Sequence, residues 1–198
     1  MSGRDFDPAV RPPNQIRKNK AYRSQDDAWV ADYLKRAEIC TVSSTWDDMP
    51  FNNVTLFWYD ETHHRIVFHS NVMGRVRANI ERNPKVCISC HDMGKLLPSN
   101  AAVEFSVQYR AVVVFGEARI LSDPEEARTA LYGLLAKYFP KMNPGVEYQP
   151  IQDDELQHTS VYSVEITSWS GKENSTEIAD QIDSWEPLSD DILNGGFA

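Results

Sequence analysis

Residues 65–86 have the sequence RIVFHSNVMGRVRANIERNPKV, and this stretch decides how the rest of the chain is interpreted. A short apolar run ends in His69 and Ser70, a glycine and a basic segment follow, and Pro84 closes the stretch. This order predicts a strand, a turn and a short helix that ends before the proline. The start of a helix offers backbone N–H groups to an anion, and arginine binds phosphate in a bidentate manner. The candidate phosphate ligands at this junction are His69, Ser70, Arg75 and Arg77.

The composition limits the classes of function. The chain has 198 residues, of which 41% are hydrophobic, so we expect one domain with a substantial core. Its net charge of −9 disfavours nucleic acid as a partner, because proteins that bind nucleic acids present a basic face. No apolar run approaches the roughly 20 residues that span a bilayer, so we expect no membrane association.

The N-terminus and the cysteines predict the compartment. The first residues, MSGRDFDPAVRPPNQ, contain no apolar signal region, which predicts that the protein is not exported. The three cysteines, Cys40, Cys87 and Cys90, are an odd number and do not predict a disulfide framework. We therefore expect a cytoplasmic protein with reduced thiols.

Charge and composition divide the chain into three parts. Residues 1–24 form a basic arm, residues 25–172 the folded domain, and residues 173–198 an acidic C-terminal extension. The basic side chains of the arm either pack on the acidic surface of the protein or lie over an anionic ligand. These side chains are Arg11, Arg17, Lys18, Lys20 and Arg23.

Periodicity predicts many short strands and few helices. The predicted helices are 25–37 with Ser24 as N-cap, 72–82, and a third that begins at Asp123-Pro124. The predicted strands are 38–44, 51–59, 65–69, 85–91, 102–120 with a bulge at Gly116, and 161–167. This order favours a small antiparallel barrel with helices on its outside over a doubly wound parallel sheet. Neither glycine-rich nucleotide fingerprint is present.

The segment Cys87-Ile-Ser-Cys90-His91 matches the attachment motif of c-type haem. Side chains alternate between the faces of a strand, so cysteines three residues apart point to opposite faces. A strand here therefore predicts that the two thiols bind neither one haem nor one zinc ion. We expect ordinary strand cysteines and no metal site.

Four segments agree in order and spacing with one known family. They are Ile16-Arg17-Lys18 with the following helix and strand, 50–59, 66–86, and 109–116 together with 166–172. Together they resemble the flavin-binding split-barrel proteins related to pyridoxamine 5′-phosphate oxidase, and they are most similar to the nitroimidazole-resistance (Nim) branch. The resemblance implies a mainly β fold with flanking helices, a six-stranded antiparallel split β-barrel. It also implies a homodimer that binds FMN at its interface.

The resemblance further implies an FMN-dependent oxidoreductase that takes electrons from a nicotinamide donor and acts on a small organic substrate, such as a nitro compound or a flavin. The protein positions the flavin, which carries the redox chemistry itself. His69 is the candidate for a polar group beside the ring or substrate. The implied cofactor-binding residues are Asn52, Asn53, Val54, Thr55, Phe68, His69, Ser70, Arg75, Arg77, Tyr109, Arg110, Trp169 and Lys172.

Several of these residues also have ordinary structural explanations. His69 could be a hydrogen-bonded residue at a strand end, Arg110 an ion-pair partner, and Trp169 an interface packing residue. Val76 stands where relatives often have lysine, and Arg77 could replace the lost charge. The alternative function is a split barrel that binds a flavin, haem or metabolite without turnover. Oxidation of pyridoxamine phosphate itself fits less well, because the acidic C-terminal region is poor in arginine.

Overall fold

The fold is given by a computed structural model, which describes residues 24–194. The predicted basic arm therefore lies outside the described residues, except for Ser24. The helices are α1 (Asp27–Arg36), α2 (Arg75–Arg82), α3 (Pro124–Tyr138), α4 (Asp153–Gln157) and α5 (Asp190–Asn194). The strands are β1 (Ser24–Gln25), β2 (Cys40–Trp46), β3 (Met49–Thr55), β4 (Trp58–Asp60), β5 (Arg65–Asn71), β6 (Lys85–Leu97), β7 (Ser106–Ile120) and β8 (Thr159–Asn174).

The strands form one antiparallel sheet in the order β3-β2-β6-β7-β8-β5-β4, and β1 pairs with β8. The sheet has eight strands rather than the expected six. One reason is that the predicted strand 51–59 is interrupted at Leu56–Phe57. Its first part, β3, pairs with β2, whereas its second part, β4, pairs with β5. The sheet order therefore ends in β3 on one side and in β4 on the other, and these two strands do not pair with each other.

The core occupies the inner face of the sheet. Directly paired residues of antiparallel strands share a face. Strand pairing therefore places four fully buried side chains on one side of the sheet, namely Val42, Ile88, Val114 and Tyr162. The Phe68 ring stacks on the Tyr162 ring, with ring centroids 4.6 Å apart. The buried side chains of α1 and α2 join the same cluster; they are Val30, Tyr33, Leu34, Val76 and Ile80.

Local signals fix the ends of the helices. Asp26, not Ser24, caps α1, because its carboxylate accepts a hydrogen bond of 2.8 Å from Trp29 N–H. The predicted start of α3 is confirmed: Asp123 accepts hydrogen bonds from the first turn, and Pro124 is the first helical residue. The predicted bulge at Gly116 is also confirmed, since the β7–β8 register shifts between Phe115 and Gly116.

A lysine in the last turn of α3 is hydrogen-bonded to the C-terminal end of α1. The Lys137 ammonium donates hydrogen bonds to the carbonyls of Leu34 and Ala37, at 3.3 and 2.7 Å. Burial lowers the pKa of Lys137 to about 8. Burial also raises the pKa of the nearby thiol of Cys90 to about 12, so this thiol stays protonated at neutral pH.

The outer face of the sheet is covered unevenly. Helix α3 contacts β4, β5 and β8, whereas no helix of the described part has appreciable contact with β3 or β6. This uncovered face carries small and apolar side chains that are partly exposed, namely Thr41, Ser43, Cys87, Ser89, Val113 and Phe115. No described helix is long and apolar enough to cross a membrane.

The C-terminal segment packs on the connection between β6 and β7. Strand β8 continues to Asn174, so the expected boundary at residue 172 falls inside it. Beyond the strand, Asp180 O accepts a hydrogen bond of 2.7 Å from Ser99 Oγ, and Ile182 O accepts one of 2.9 Å from Asn100 Nδ2.

Candidate functional site

The N-terminus of α2 is open to an anion. Gly74 is the N-cap residue, and no described side chain caps the helix there. The first N–H groups of a helix have no intrahelical partner, and the helix dipole gives this end a partial positive charge. A phosphate at this position would therefore both cap the helix and meet a favourable field.

Arg75 provides an available cation beside this helix end. Its side chain is exposed and has no hydrogen bond or ion pair within residues 24–194, and its guanidinium lies 5.8 Å from the centre of the Trp46 ring. Arg77, in contrast, pairs with Glu81 at 2.8 Å and donates to Ser160 Oγ at 3.1 Å. The geometry thus favours Arg75 over Arg77 as a ligand for phosphate.

Val76 is 7% exposed and belongs to the core. The position at which relatives often carry lysine therefore serves packing in this chain. Because Arg77 is held by Glu81 and Ser160, Arg75 is the cation of this turn that has no hydrogen bond or ion pair among the described residues.

The end of β5 separates the three neighbouring candidates. Ser70 lies on the inner face and its hydroxyl is 3.1 Å from the Tyr162 hydroxyl. His69 lies on the opposite face and is exposed, although the surrounding protein still desolvates its ring and lowers its pKa. Its imidazole is therefore neutral at pH 7. The Phe68 side chain is completely enclosed in the core, so only its backbone is available to a ligand.

The candidate residues of β3 also divide between two faces. Asn53 and Thr55 pair with Val42 and Cys40, which places them on the inner side of the sheet, where the barrel is open. Asn52 and Val54 lie on the outer side, and Asn52 Oδ1 accepts a hydrogen bond of 2.7 Å from Ser43 Oγ.

A cleft separates the β2–β3 hairpin from α2, and we call it the hairpin cleft. Its volume is about 320 Å³. It is lined by Trp46, Asp47, Met49, Pro50, Phe51, Arg75 and Asn79. Arg75 thus contributes both to this cleft and to the open helix end.

The late candidates lie at the other end of the barrel. The turn that carries Arg75 follows Asn71, which pairs with Thr159 at the start of β8. Tyr109 pairs with Asn174 at the end of β8, fifteen residues further along that strand. Arg110 forms an ion pair with Asp92 at 3.0 Å, as the structural interpretation of this residue predicted.

Trp169 and Lys172 also lie far from the turn that carries Arg75, ten and thirteen residues along β8 from Thr159, the partner of Asn71. The Trp169 indole packs on Tyr59 and His64, with ring centroids at 5.7 and 4.7 Å, and its N–H donates to Asp27 at 2.7 Å. The Lys172 ammonium lies 5.2 Å from the Tyr109 ring centre. A single chain therefore does not bring Trp169 or Lys172 to the turn that carries Arg75.

The two cysteines of the haem-like motif lie on opposite faces of β6. Cys90 pairs with Val112 on the buried inner face, whereas Cys87 pairs with Phe115 on the outer face. The prediction of opposite faces is confirmed. No group of three or more His, Cys, Asp or Glu side chains suited to a metal ion occurs within the described residues.

Two residues of this region, Asn79 and Trp46, are not among the candidates that the sequence predicted. Asn79 is fully buried; its Nδ2 donates to Ser44 Oγ at 2.9 Å, while its Oδ1 has no partner within the described part of the chain. The sequence signal was an amide on the apolar side of α2, three residues after the buried Val76 and beside Ile80. Trp46 gave no comparable signal, because its role depends on the arginines that pack around it.

Comparison with known proteins shows the family and the fold of the chain. The sequence profile of the family described as pyridoxamine 5′-phosphate oxidase matches residues 26–173. The chain belongs to this family. The suspected relationship to flavin-binding split-barrel proteins is thereby confirmed, as is the mainly β fold with flanking helices.

Solved structures show the same fold at low sequence identity. The flavocytochrome Anf3 from Azotobacter vinelandii has a TM-score of 0.74 and 18% identity, covering 88% of this chain and 78% of that one. A FAD and haem binding protein from Mycobacterium smegmatis has a TM-score of 0.73 and 20% identity, with 88% and 81% covered. A candidate 5-nitroimidazole antibiotic resistance protein from Bacteroides thetaiotaomicron has a TM-score of 0.64 and 21% identity, with 75% and 84% covered. No curated protein matches the chain.

Proposed function

We propose that this protein binds a flavin nucleotide, FMN in the form that its family implies, through the phosphate at the start of α2. The observation that carries the proposal is the combination of an uncapped helix end with Arg75, a guanidinium that has no hydrogen bond or ion pair among the described residues. A phosphate would provide hydrogen-bond acceptors for the backbone N–H groups of the helix end and an anionic partner for the arginine. The Ser70 hydroxyl and the inner side of β3 lie along the opening of the barrel, where the rest of the flavin would extend.

The activity we propose is that of an oxidoreductase. When bound, a flavin would supply the redox chemistry: it would carry a hydride equivalent from a nicotinamide donor to a small organic acceptor, with the balancing proton taken from solvent. The chain contributes binding and orientation. Arg75 holds the phosphate, Asn53 and Thr55 offer polar groups on the inner side of β3, and His69 is a neutral hydrogen-bonding group on the opposite face of β5.

We also propose that the working unit is a homodimer formed through the uncovered outer face of the sheet. Two observations support it: no described helix covers β3 and β6, and the two groups of candidate residues lie at opposite ends of one barrel. A second copy could bring Tyr109, Trp169 and Lys172 to the flavin of the first. A monomer would leave Val113 and Phe115 partly exposed to water.

Absorption spectroscopy and turnover test this function. Purified protein, dialysed and then mixed with FMN, should keep a two-banded flavin spectrum after removal of free flavin. The loaded protein should then oxidise NADH or NADPH in the presence of a small acceptor, and a nitroaromatic compound belongs in the panel. If the protein binds flavin but shows no turnover with any donor and acceptor, the enzymatic role is refuted and the protein is a flavin-binding protein.

Haem binding is the second candidate. It is favoured by His69, since an exposed imidazole with a lowered pKa is neutral and can bind iron at pH 7. A Soret band in the purified protein, lost in the variant His69→Ala, would support this candidate. Absence of the band after incubation with haemin would remove it.

A further inference from the structure

The C-terminal segment, residues 175–186, leaves large apolar side chains exposed at one end of the barrel. Its backbone is hydrogen-bonded to Ser99 and Asn100 of the connection between β6 and β7. The Trp185 side chain is nevertheless 68% exposed, and four further apolar side chains of the segment and the connection are exposed with it, namely Val103, Phe105, Ile178 and Ile182. Single exposed apolar residues are normal, whereas several at one end of a protein mark an interaction surface.

The same part of the chain is strongly acidic. Residues 173–191 contain seven aspartate and glutamate residues and no lysine or arginine. Glu177 pairs with Lys95 at 2.9 Å, whereas Glu173, Asp180 and Asp183 have no ion pair within residues 24–194. A partner for this surface therefore needs both apolar and basic side chains, because complementary charge decides which partner is accepted.

A groove lies between the end of β8 and the beginning of this segment, and we call it the C-terminal groove. Its lining includes the carboxylates of Asp92, Glu173 and Glu177. Arg110 also lines the groove, but its guanidinium is already paired with Asp92 at 3.0 Å. The volume of about 250 Å³ lies below the usual range for small-molecule sites, so the groove suits side chains of a polypeptide better than a whole ligand.

Strand β1 points the preceding chain at this groove. It pairs with Gly171 and Lys172 of β8, and the same two residues pair with β7 on their other side. Strand β1 therefore lies on the edge of β8 that faces away from β7. Because β1 and β8 are antiparallel, the chain that precedes Ser24 leads toward Glu173, which lines the groove.

Residues 1–23 of the basic arm lie outside the described residues, but their sequence has the required chemistry. They contain six basic and two acidic residues, and Phe6, Val10, Ile16 and Tyr22 alternate with the basic positions. The family profile matches residues 26–173, so both the arm and the C-terminal segment lie outside the match. Two extensions of opposite charge thus leave the domain at neighbouring points of β8.

We propose that the basic arm, residues 1–23, docks in the C-terminal groove and on the exposed apolar side chains of the C-terminal segment of the same chain. Its lysine and arginine side chains pair with the unpaired carboxylates, and its apolar side chains cover Ile178 and Trp185. The docked arm also protects the edge of β8 beyond β1, since an open strand edge invites pairing with other chains. This assigns the arm to the surface of the protein and not to an anionic ligand.

Carbodiimide cross-linking of the full chain tests the contact, because the reagent joins an ammonium group to a carboxylate without a spacer. We expect Lys18 and Lys20 to be joined to carboxylates of residues 173–186. These products should be lost in 1 M salt, at which the screening length is about 3 Å. Products that join the arm to Asp153 or Glu155 of α4 instead, or no product from the arm, would overturn the proposal.

Two variations of this experiment test the remaining alternatives. In a mixture of isotopically labelled and unlabelled protein, the products should join residues of one chain. Products found only between labelled and unlabelled chains would place the arm on a second copy and refute docking within one chain. Addition of FMN should leave the products unchanged. If FMN abolishes them, the arm lies over the ligand and the proposed surface is wrong.

Quenching of Trp185 fluorescence by acrylamide tests the apolar half of the contact. Each exposed ion pair changes an equilibrium constant by a factor of up to about five, so Lys18→Glu with Lys20→Glu should weaken docking roughly tenfold. Quenching of Trp185, measured against Trp185→Phe protein, should then increase. Lys141→Glu is the matched control, because Lys141 is exposed and lies after α3. Equal quenching in wild type and the double variant would overturn the contact with Trp185.

Discussion

Replacement of Arg75 by alanine should weaken FMN binding by about one to two orders of magnitude. A hydrogen bond between a cation and an anion contributes about 1.5–3 kcal/mol, and each 1.4 kcal/mol corresponds to a factor of about ten in affinity. We expect a loss of FMN affinity within this whole range because no neighbouring residue can take over the contact of Arg75 with the phosphate. Val76 is apolar and buried, and Arg77 is already paired with Glu81.

The same substitution should leave the fold unchanged. Arg75 is exposed and has no ion pair or hydrogen bond among the described residues, so we expect the free energy of unfolding to stay within about 0.5 kcal/mol of the wild-type value. Thermal denaturation of the flavin-free protein measures this. An unchanged unfolding temperature with weakened binding would assign the loss to the site.

Quenching of flavin fluorescence gives the affinities, and riboflavin provides the decisive control because it lacks the phosphate. Arg75→Ala should reduce the affinity for FMN and not for riboflavin. The FMN affinity of the wild type should also fall as salt is added, since the pair is exposed. Arg77→Ala should have the smaller effect on FMN. Unchanged FMN affinity in Arg75→Ala, or an equal loss for riboflavin, would refute the reasoning.

Three further predictions concern stability and assembly. Phe115→Glu places a charge on the uncovered sheet face and should give a monomer that loses flavin; sedimentation analysis showing an unchanged dimer would contradict the proposed interface. Gly116→Ala should lower stability by about 2–4 kcal/mol in denaturant titration, because the new Cβ would lie 2.3 Å from the Glu165 carbonyl oxygen. The pKa of Lys137 is lowered to about 8, so the unfolded state binds more protons between pH 8 and about 10.5. Wild type should therefore gain stability relative to Lys137→Met as pH rises through that window, and a pH-independent difference would be the contrary result.

Much of the framework follows from local sequence. An aspartate followed by proline begins α3, and Gly116 marks the bulge, because caps and bulges depend on a few neighbouring residues. Alternation along a strand has a fixed period, so the separation of Cys87 and Cys90 onto opposite faces could be predicted without a partner strand. The order and spacing of the strand and helix signals were also sufficient to place the chain in its family.

The pairing of distant segments decided the rest. The break after Thr55 depends on which strand each part of 49–60 pairs with. Pairing also decides that Asn53 rather than Asn52 lies on the inner side, and register is a long-range property. The sequence by itself determined that a strand, a turn and a basic helix meet near Arg75. The pairing of Arg77 with Glu81 follows from the i,i+4 spacing of a helix. Only the tertiary structure decided that Arg77 also donates to Ser160 and that Arg75 is left available, because Ser160 lies 83 residues further along the chain.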